Sequence, residues 1–207
     1  MELILAAAVT MTVLTAEASS QQGSVGKEKP MEDTQVLQWS REIPLTDPLK
    51  QRANPNFSFE EWLARGRRLP GVVDTLVRLL DKEDLQRPSG DGMRLAYALG
   101  SLGVRSQPAV SALVRSLGSK DVDLRSGAAI ALGSIGDASV VQLLENLVKD
   151  RHENKYVRGN ACVSIGRLGA RSAEPVLSEA LKDPDSFVQL CAQEGLKLLQ
   201  SRSQNAQ

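Results

Sequence analysis

The chain has 207 residues, with 25 Lys and Arg against 25 Asp and Glu, so its formal net charge is zero. Without a basic excess, the composition argues against a nucleic-acid-binding protein and against one that binds an anionic membrane surface. Aromatic residues make up 3% of the chain and hydrophobic residues 42%, so a core has to be built from Leu, Val, Ile and Ala. With one His and two Cys, we expect neither a metal site nor a cofactor.

The first residues have the pattern of an export signal. An apolar run from Leu3 to Leu14 is too short to cross a bilayer, and small residues that suit cleavage follow it up to Ala18. Glu2 stands where such a signal usually carries a basic residue, which leaves a misplaced start or a loose apolar tail as the alternative. The sequence predicts a periplasmic or extracellular protein if residues 1–18 are a signal and a cytoplasmic one otherwise, with no integral membrane span.

Residues 19–57 are rich in Gln, Ser, Pro and Asn, which predicts an irregular or disordered arm. Trp39 is the exception, because a large aromatic residue in a polar segment usually docks on another surface. It packs on the end of the folded domain or anchors a partner. Residues 58–69 then predict a helix that caps this end, since Ser58 can cap the first turn with Glu61 three residues later.

Residues 70–201 contain a repeat. The six residues 98–103 return, with small changes, as 131–136 and as 164–169, and the spacing of 33 residues is typical of a solenoid. Each copy lies at the end of a second helix, and a first helix with one narrow apolar face precedes it. The two glycines of each copy are predicted to end the helix by adopting positive φ. A degenerate fourth copy starts at Gly195, and a disordered tail is predicted after it, over residues 202–207.

Two of these units carry a family resemblance. Lys182–Val188 is followed by Ala192, and Leu124 and Arg125 precede residues 128–133. These residues resemble short HEAT repeats, in particular the HEAT-like repeats of the phycobilisome lyase type. The resemblance implies an all-α fold: a right-handed α-α superhelix of about four helix pairs, with the second helices on the concave side. Such proteins mostly hold other proteins, and a minority attach bilins to phycobiliproteins.

The resemblance also assigns two arginines. Arg125 and Arg158 stand at the family's Arg position at the start of the second helix, where this residue commonly ties down an Asp of a nearby turn. Asp121 and Asp123 are the available carboxylates. A structural role is therefore expected for these residues, with ligand binding as the alternative.

The second helices predict a candidate binding surface. Opposite their core-facing positions, helical geometry places Tyr97, Ile130 and Val163 in a row on the concave side. A contiguous apolar row is typical of an interface, whereas single exposed apolar residues are ordinary. The row would receive a protein or peptide partner, or the chain's own arm through Trp39. The candidate site consists of Tyr97, Ser101, Ile130, Ser134, Val163, Arg167 and Trp39.

The two cysteines are predicted to face each other. Both flanks of each second helix carry small residues, and Arg94 lies on one of these flanks. Burying Arg94 between repeats would be costly, so the other flank is predicted to face the next repeat. This choice pairs Cys162 with Cys191 between the third and fourth repeats. They act there as two buried free thiols or as a disulfide.

The sequence contains no phosphate-binding loop, catalytic serine motif or metal-binding helix motif, and its single His152 lies in a polar turn. We therefore expect no enzyme but a scaffold or adaptor that holds a partner on the concave face. The alternative is a bilin lyase, or a lyase-like chaperone, that acts on tetrapyrrole-carrying proteins. An exported chain would be badly placed for that role, because a bilin enzyme needs a compartment with pigment.

Overall fold

The computed structural model describes residues 33–42, 58–69, 71–86, 90–103 and 107–204. Within these ranges the chain forms ten α-helices and no strand. They are α1 Asp33–Arg41, α2 Phe59–Arg68, α3 Val72–Asp81, α4 Gly92–Leu102, α5 Gln107–Ser116, α6 Val122–Ile135, α7 Val141–Lys149, α8 Lys155–Leu168, α9 Glu174–Ala180 and α10 Ser186–Gln204. The predicted export signal, residues 1–18, lies outside the described residues.

From α3 onward the helices form four consecutive pairs, with a first helix followed by a second helix that packs against it. The apolar stripe of each first helix is buried, as at Leu76, Leu113, Leu144 and Leu177. Each pair also packs on the next pair, so a single core runs through the stack. The predicted all-α solenoid is confirmed.

The second glycine of each repeated motif ends its helix. Gly103, Gly136 and Gly169 have φ values of 65°, 79° and 73°, in the left-handed region that favours glycine. The backbone N–H of each donates to a carbonyl of the last helical turn, which satisfies a group that the helix end leaves open. For these residues the predicted helix termination is confirmed.

The first glycine of each motif has a different role, and the prediction that it ends the helix is wrong. It lies inside the helix and faces the next second helix. A Cβ on Gly133 would lie 2.6 Å from the Cα of Ser164, and one on Gly166 would lie 2.6 Å from the Cα of Gly195. Gly100 makes the same approach to α6. Glycine is required here because the two backbones touch.

These contacts determine how the stack curves. The second helices approach one another to backbone contact, whereas the first helices of neighbouring pairs touch more sparsely. A stack whose two layers differ in spacing bends toward the more closely spaced layer. The second helices α4, α6, α8 and α10 therefore form the concave side.

The last second helix departs from the pattern. Gly195 aligns with Ser164 and faces α8, so it is not a remnant of the motif glycines. Lys197 and Gln200 stand at the motif glycine positions. Without a left-handed stop, α10 continues to Gln204, into the tail that was expected to be disordered.

The N-terminal end is covered by two helices. The prediction of an irregular arm is wrong for residues 33–41, which form α1, and α1 and α2 both pack on the first pair. Ser58 caps α2, since its Oγ accepts from the N–H of Glu61 at 3.3 Å, which confirms the predicted helix start. Trp39 of α1 stacks on Trp62 of α2, with ring centroids 4.4 Å apart. Each indole N–H donates to the other tryptophan's carbonyl, at 2.8 and 2.9 Å.

Ion pairs hold both ends of α1 to the first repeat. At its start, Asp33 accepts from Arg78 and from Lys82, the latter at 3.4 Å. At its end, Arg41 donates to Asp91, with Nε 2.8 Å from Oδ1. The helix is therefore anchored by charges at both ends, with the buried Val36 between them.

We expect acid to weaken the docking of α1. Hydrogen bonding to Arg78 lowers the pKa of Asp33, and hydrogen bonding to Arg41 lowers the pKa of Asp91. Docking of α1 lowers both pKa values, so the ion pairs stabilise the docked state when the pH is above the ordinary carboxyl pKa of about 4. This stabilisation is lost as the pH falls through the lower pKa values of the docked state. Fluorescence of the tryptophan pair should therefore change before the helical circular dichroism of the repeats is lost.

The control removes the titrating groups. In a variant with Asp33→Asn and Asp91→Asn, the early fluorescence step should be absent and docking should already be weaker at neutral pH. An acid step of the same size in this variant would contradict the assignment.

Candidate functional site

The predicted concave row is only partly open. Tyr97 of α4 and Ile130 of α6 are partly exposed, whereas Val163 of α8 is 5% exposed. Helix α8 lies between α6 and α10 and is buried from Val157 to Arg167. An exposed row of three apolar side chains was the wrong expectation, because the neighbouring helices enclose Val163.

One turn further along, the serines of the candidate site face their own helices. Ser101 Oγ donates to the carbonyl of Tyr97 at 2.8 Å, and Ser134 Oγ donates to that of Ile130 at 3.1 Å. Ser134 Oγ also accepts from Arg167 Nη1 at 3.0 Å. Ser134 thus connects the row to Arg167.

Arg167 is the centre of a polar cluster on this side of the stack. It is 5% exposed, and burial lowers the pKa of Arg167, while Tyr97 and Glu194 oppose that change. Burial raises the pKa of Tyr97, and Arg167 opposes this in turn. Tyr97 of α4, across α6, and Glu194 of the neighbouring helix α10 therefore both lie within electrostatic range of Arg167. Tyr97 and Glu194 are both partly exposed residues, and their hydroxyl and carboxylate are a donor and an acceptor for a polar partner.

Sequence reasoning missed two exposed apolar side chains, one on α8 and one on α10. Tyr156, at the start of α8, is 42% exposed and packs edge-on against Phe187 with ring centroids 5.3 Å apart. Leu190 of α10 is 43% exposed. It lies four residues before Glu194, and this spacing, which puts both on one helix face, is the signal that would have found it.

Trp39 does not belong to the concave site. It is 4% exposed, its ring stacks on Trp62, and its indole N–H is hydrogen bonded. The role of a partner anchor is therefore wrong, because the side chain is used in packing the N-terminal helices together.

The arginines at the start of the second helices connect neighbouring repeats. Arg125 binds Glu153 with two hydrogen bonds of 3.0 and 2.7 Å, and Arg158 Nη2 lies 2.8 Å from Asp183 Oδ1. Asp121 instead caps α6. The partner of Arg125 is neither Asp121 nor Asp123, because its carboxylate comes from the following repeat. Arg158 does bind an Asp of a nearby turn, as the resemblance implies. These are structural contacts.

Cys162 and Cys191 are both buried free thiols. Burial raises the pKa of Cys191 to about 12 and also raises the pKa of Cys162. Neither is therefore a reactive thiolate in the closed fold.

The part of the chain that the structure describes holds no group of three or more His, Cys, Asp or Glu side chains placed to bind a metal ion. His152 is exposed in the turn before α8. Among the same residues, we find no helix with both the length and the apolar character of a membrane span.

Comparison with known sequences gives two kinds of match. A family model described as HEAT repeats matches residues 93–154 and 150–206. Deoxyhypusine hydroxylase-B of Oryza sativa subsp. japonica is 30% identical over 92 residues, which are 44% of this chain and 30% of that protein. Deoxyhypusine hydroxylase of Schizosaccharomyces pombe is 29% identical over 113 residues, 54% of this chain and 36% of that protein. The matches thus span about a third of the length of these curated relatives.

Two solved structures share the fold. The complex of CpcE and CpcF of phycocyanin lyase from Nostoc sp. PCC7120 matches with a TM-score of 0.57 at 22% identity, over 87% of this chain and 70% of that chain. Human deoxyhypusine hydroxylase in complex with glycerol matches with a TM-score of 0.53 at 20% identity, over 81% of this chain and 63% of that chain.

These matches correct one expectation. The absence of catalytic motifs predicted a chain that is not an enzyme, but the curated relatives are named as hydroxylases and one structural neighbour as part of a lyase. The expectation rested on the motifs of other enzyme folds, and the names of these relatives overturn it.

Proposed function

Because the chain belongs to the HEAT-repeat family, we propose that it acts with a lyase-type enzyme on another protein, which it holds on the concave face of its solenoid. Support for a lyase-type role comes from the phycocyanin lyase complex, whose fold this chain shares. The hydroxylase names of the curated relatives likewise favour an enzymatic setting. The protein partner would carry the group that is attached or removed.

One observation carries the choice of surface. The concave side combines partly exposed apolar side chains, Tyr97 and Ile130, with the carboxylate of Glu194, and Leu190 adds an exposed apolar side chain one turn away. Binding surfaces typically join apolar anchors to a few polar groups that set orientation. The backbone contacts at the glycines keep these helices at fixed spacing.

The partner can be captured by photocrosslinking. Tyr97 is replaced with benzoylphenylalanine in the full chain. The variant is irradiated in a lysate of its source cells, and the crosslinked protein is identified by mass spectrometry. The matched control carries the same group at Asn146, which is exposed on the first helix α7. We expect a specific product from position 97 alone, with a covalently attached group on the captured protein. A captured protein that carries no such group in any of its cellular forms would contradict the enzymatic role.

A charge in the row should weaken binding. Ile130→Asp places a carboxylate where the partner's apolar surface packs, so we expect at least about a tenfold loss of affinity for the captured protein. Asn146→Asp adds the same charge on the first-helix layer and should bind as the unmodified chain does. Thermal melts of both variants establish that the fold is retained. Equal affinity of the two folded variants would show that the concave face is not the binding surface.

A further inference from the structure

Cys162 and Cys191 occupy corresponding places beside a backbone contact between the third and fourth repeats. Gly166 of α8 and Gly195 of α10 touch through their backbones. Each cysteine stands four residues before one of these glycines, which is about one turn earlier on the same helix face. The cysteines therefore lie on the sides of α8 and α10 that face each other.

The contacts around the cysteines agree with this register. A Cβ on Gly159 would lie 3.0 Å from Cys191 Sγ, and one on Gly195 would lie 2.5 Å from the carbonyl oxygen of Cys162. Since contacts advance in the same order along both helices, α8 and α10 run parallel. Each cysteine thus touches the helix that carries the other.

This arrangement brings the cysteines within reach of a disulfide. The Cα atoms of a helix lie about 2.3 Å from its axis, and packed helices have axes about 8 to 10 Å apart. For parallel helices at the close end of that range, residues one turn before the contact have Cα atoms roughly 6 Å apart, and disulfides need about 4.4 to 6.8 Å.

We propose that Cys162 and Cys191 form a redox-sensitive pair whose disulfide clamps the last repeat onto the third. The oxidant is a low-molecular-weight disulfide such as oxidised glutathione. One cysteine thiolate attacks it and releases a thiol, and the other cysteine then attacks the mixed disulfide and releases the second thiol. Two electrons and two protons leave the chain, and two thiol molecules are formed.

The position in the stack gives the clamp its effect. Among the described residues, helices α9 and α10 pack against one neighbouring pair, so their contacts with the third pair control how readily they open. Both thiols are buried, so they react while this pair is open and hold it once it closes. Helix α10 carries Leu190 and Glu194, so the clamp fixes their position, although the inference does not depend on the proposed function.

The test uses the full chain, equilibrated with oxidised and reduced glutathione at several ratios. We expect alkylation and mass spectrometry to show an intramolecular bond with the loss of two hydrogens. In hydrogen exchange, the amides of α9 and α10 should then exchange about tenfold more slowly, while the exchange of the α4 amides is unchanged. Cys162→Ser and Cys191→Ser are the matched controls, and the reduced unmodified chain is measured beside them.

Four outcomes would overturn the inference: free thiols at every ratio, mixed disulfides with glutathione alone, bonds between two chains, or an intramolecular bond that leaves exchange of α10 unchanged or faster. The comparison of oxidised with reduced unmodified chain holds even where a serine variant folds poorly.

Discussion

Gly166→Ala is expected to destabilise the protein by about 3 kcal/mol, because it overpacks a contact that cannot relax locally. The added Cβ would lie 2.6 Å from the Cα of Gly195. That atom belongs to a helix backbone, so no side chain can rotate away and the two helices have to separate. The loss should exceed the gain of about 1 kcal/mol that Ala brings over Gly inside a helix.

Gly127→Ala is the matched control. Gly127 is also a buried glycine inside a second helix, but its Cβ would meet the flexible Met93 side chain first, with Cγ at 3.1 Å. We expect a change within about 1 kcal/mol of zero, since the propensity gain offsets the tighter contact. Urea unfolding measures both variants. Equal losses would show that helix contact does not explain the first glycine of the motif.

The glycines show where sequence reasoning stops. The spacing of 33 residues predicted the repeat and the helix pairs, because the repeat period does not depend on how individual side chains pack. It could not separate the two glycines of a motif, since a left-handed φ and a backbone contact both demand glycine. The distinguishing signal is small residues two positions earlier, at Ala131 and Ser164, which face the preceding helix.

Helix α1 was missed for a thermodynamic reason. Its nine residues lie between Pro30 and Pro44, in a segment whose composition is that of a linker. A helix this short is not stable alone. It forms because Val36 and Trp39 are buried against other helices, and the local composition does not predict such tertiary packing.

The sequence predicts which side chains point to the concave side but not how exposed each of them is. Helical geometry predicted that Tyr97, Ile130 and Val163 point to one side of the second helices, because this prediction needs only the angle per residue. How far each is covered depends on the neighbouring helices, and α8 is the most enclosed of them. The partner of Arg125 was missed for the same reason, since Glu153 approaches it only once the repeats are stacked.

Trp39→Ala should have the largest effect at the N-terminal end. The substitution removes the ring that stacks on Trp62 and leaves the Trp62 carbonyl without its indole donor. Truncating a buried tryptophan costs about 3 to 5 kcal/mol, so we expect α1 to undock. Hydrogen exchange should show α1 amides exchanging as in an open chain, while the amides of α8 keep their protection.

Trp39→Phe separates stacking from hydrogen bonding. Phenylalanine keeps an aromatic ring beside Gly66, which leaves room for it by lacking a Cβ, but it cannot donate to the Trp62 carbonyl. A lost hydrogen bond that leaves a buried acceptor costs about 1 to 3 kcal/mol, so α1 should stay docked with faster exchange than in the unmodified chain. If Trp39→Phe released α1 as fully as Trp39→Ala, the hydrogen bond and not the ring would be what holds the helix.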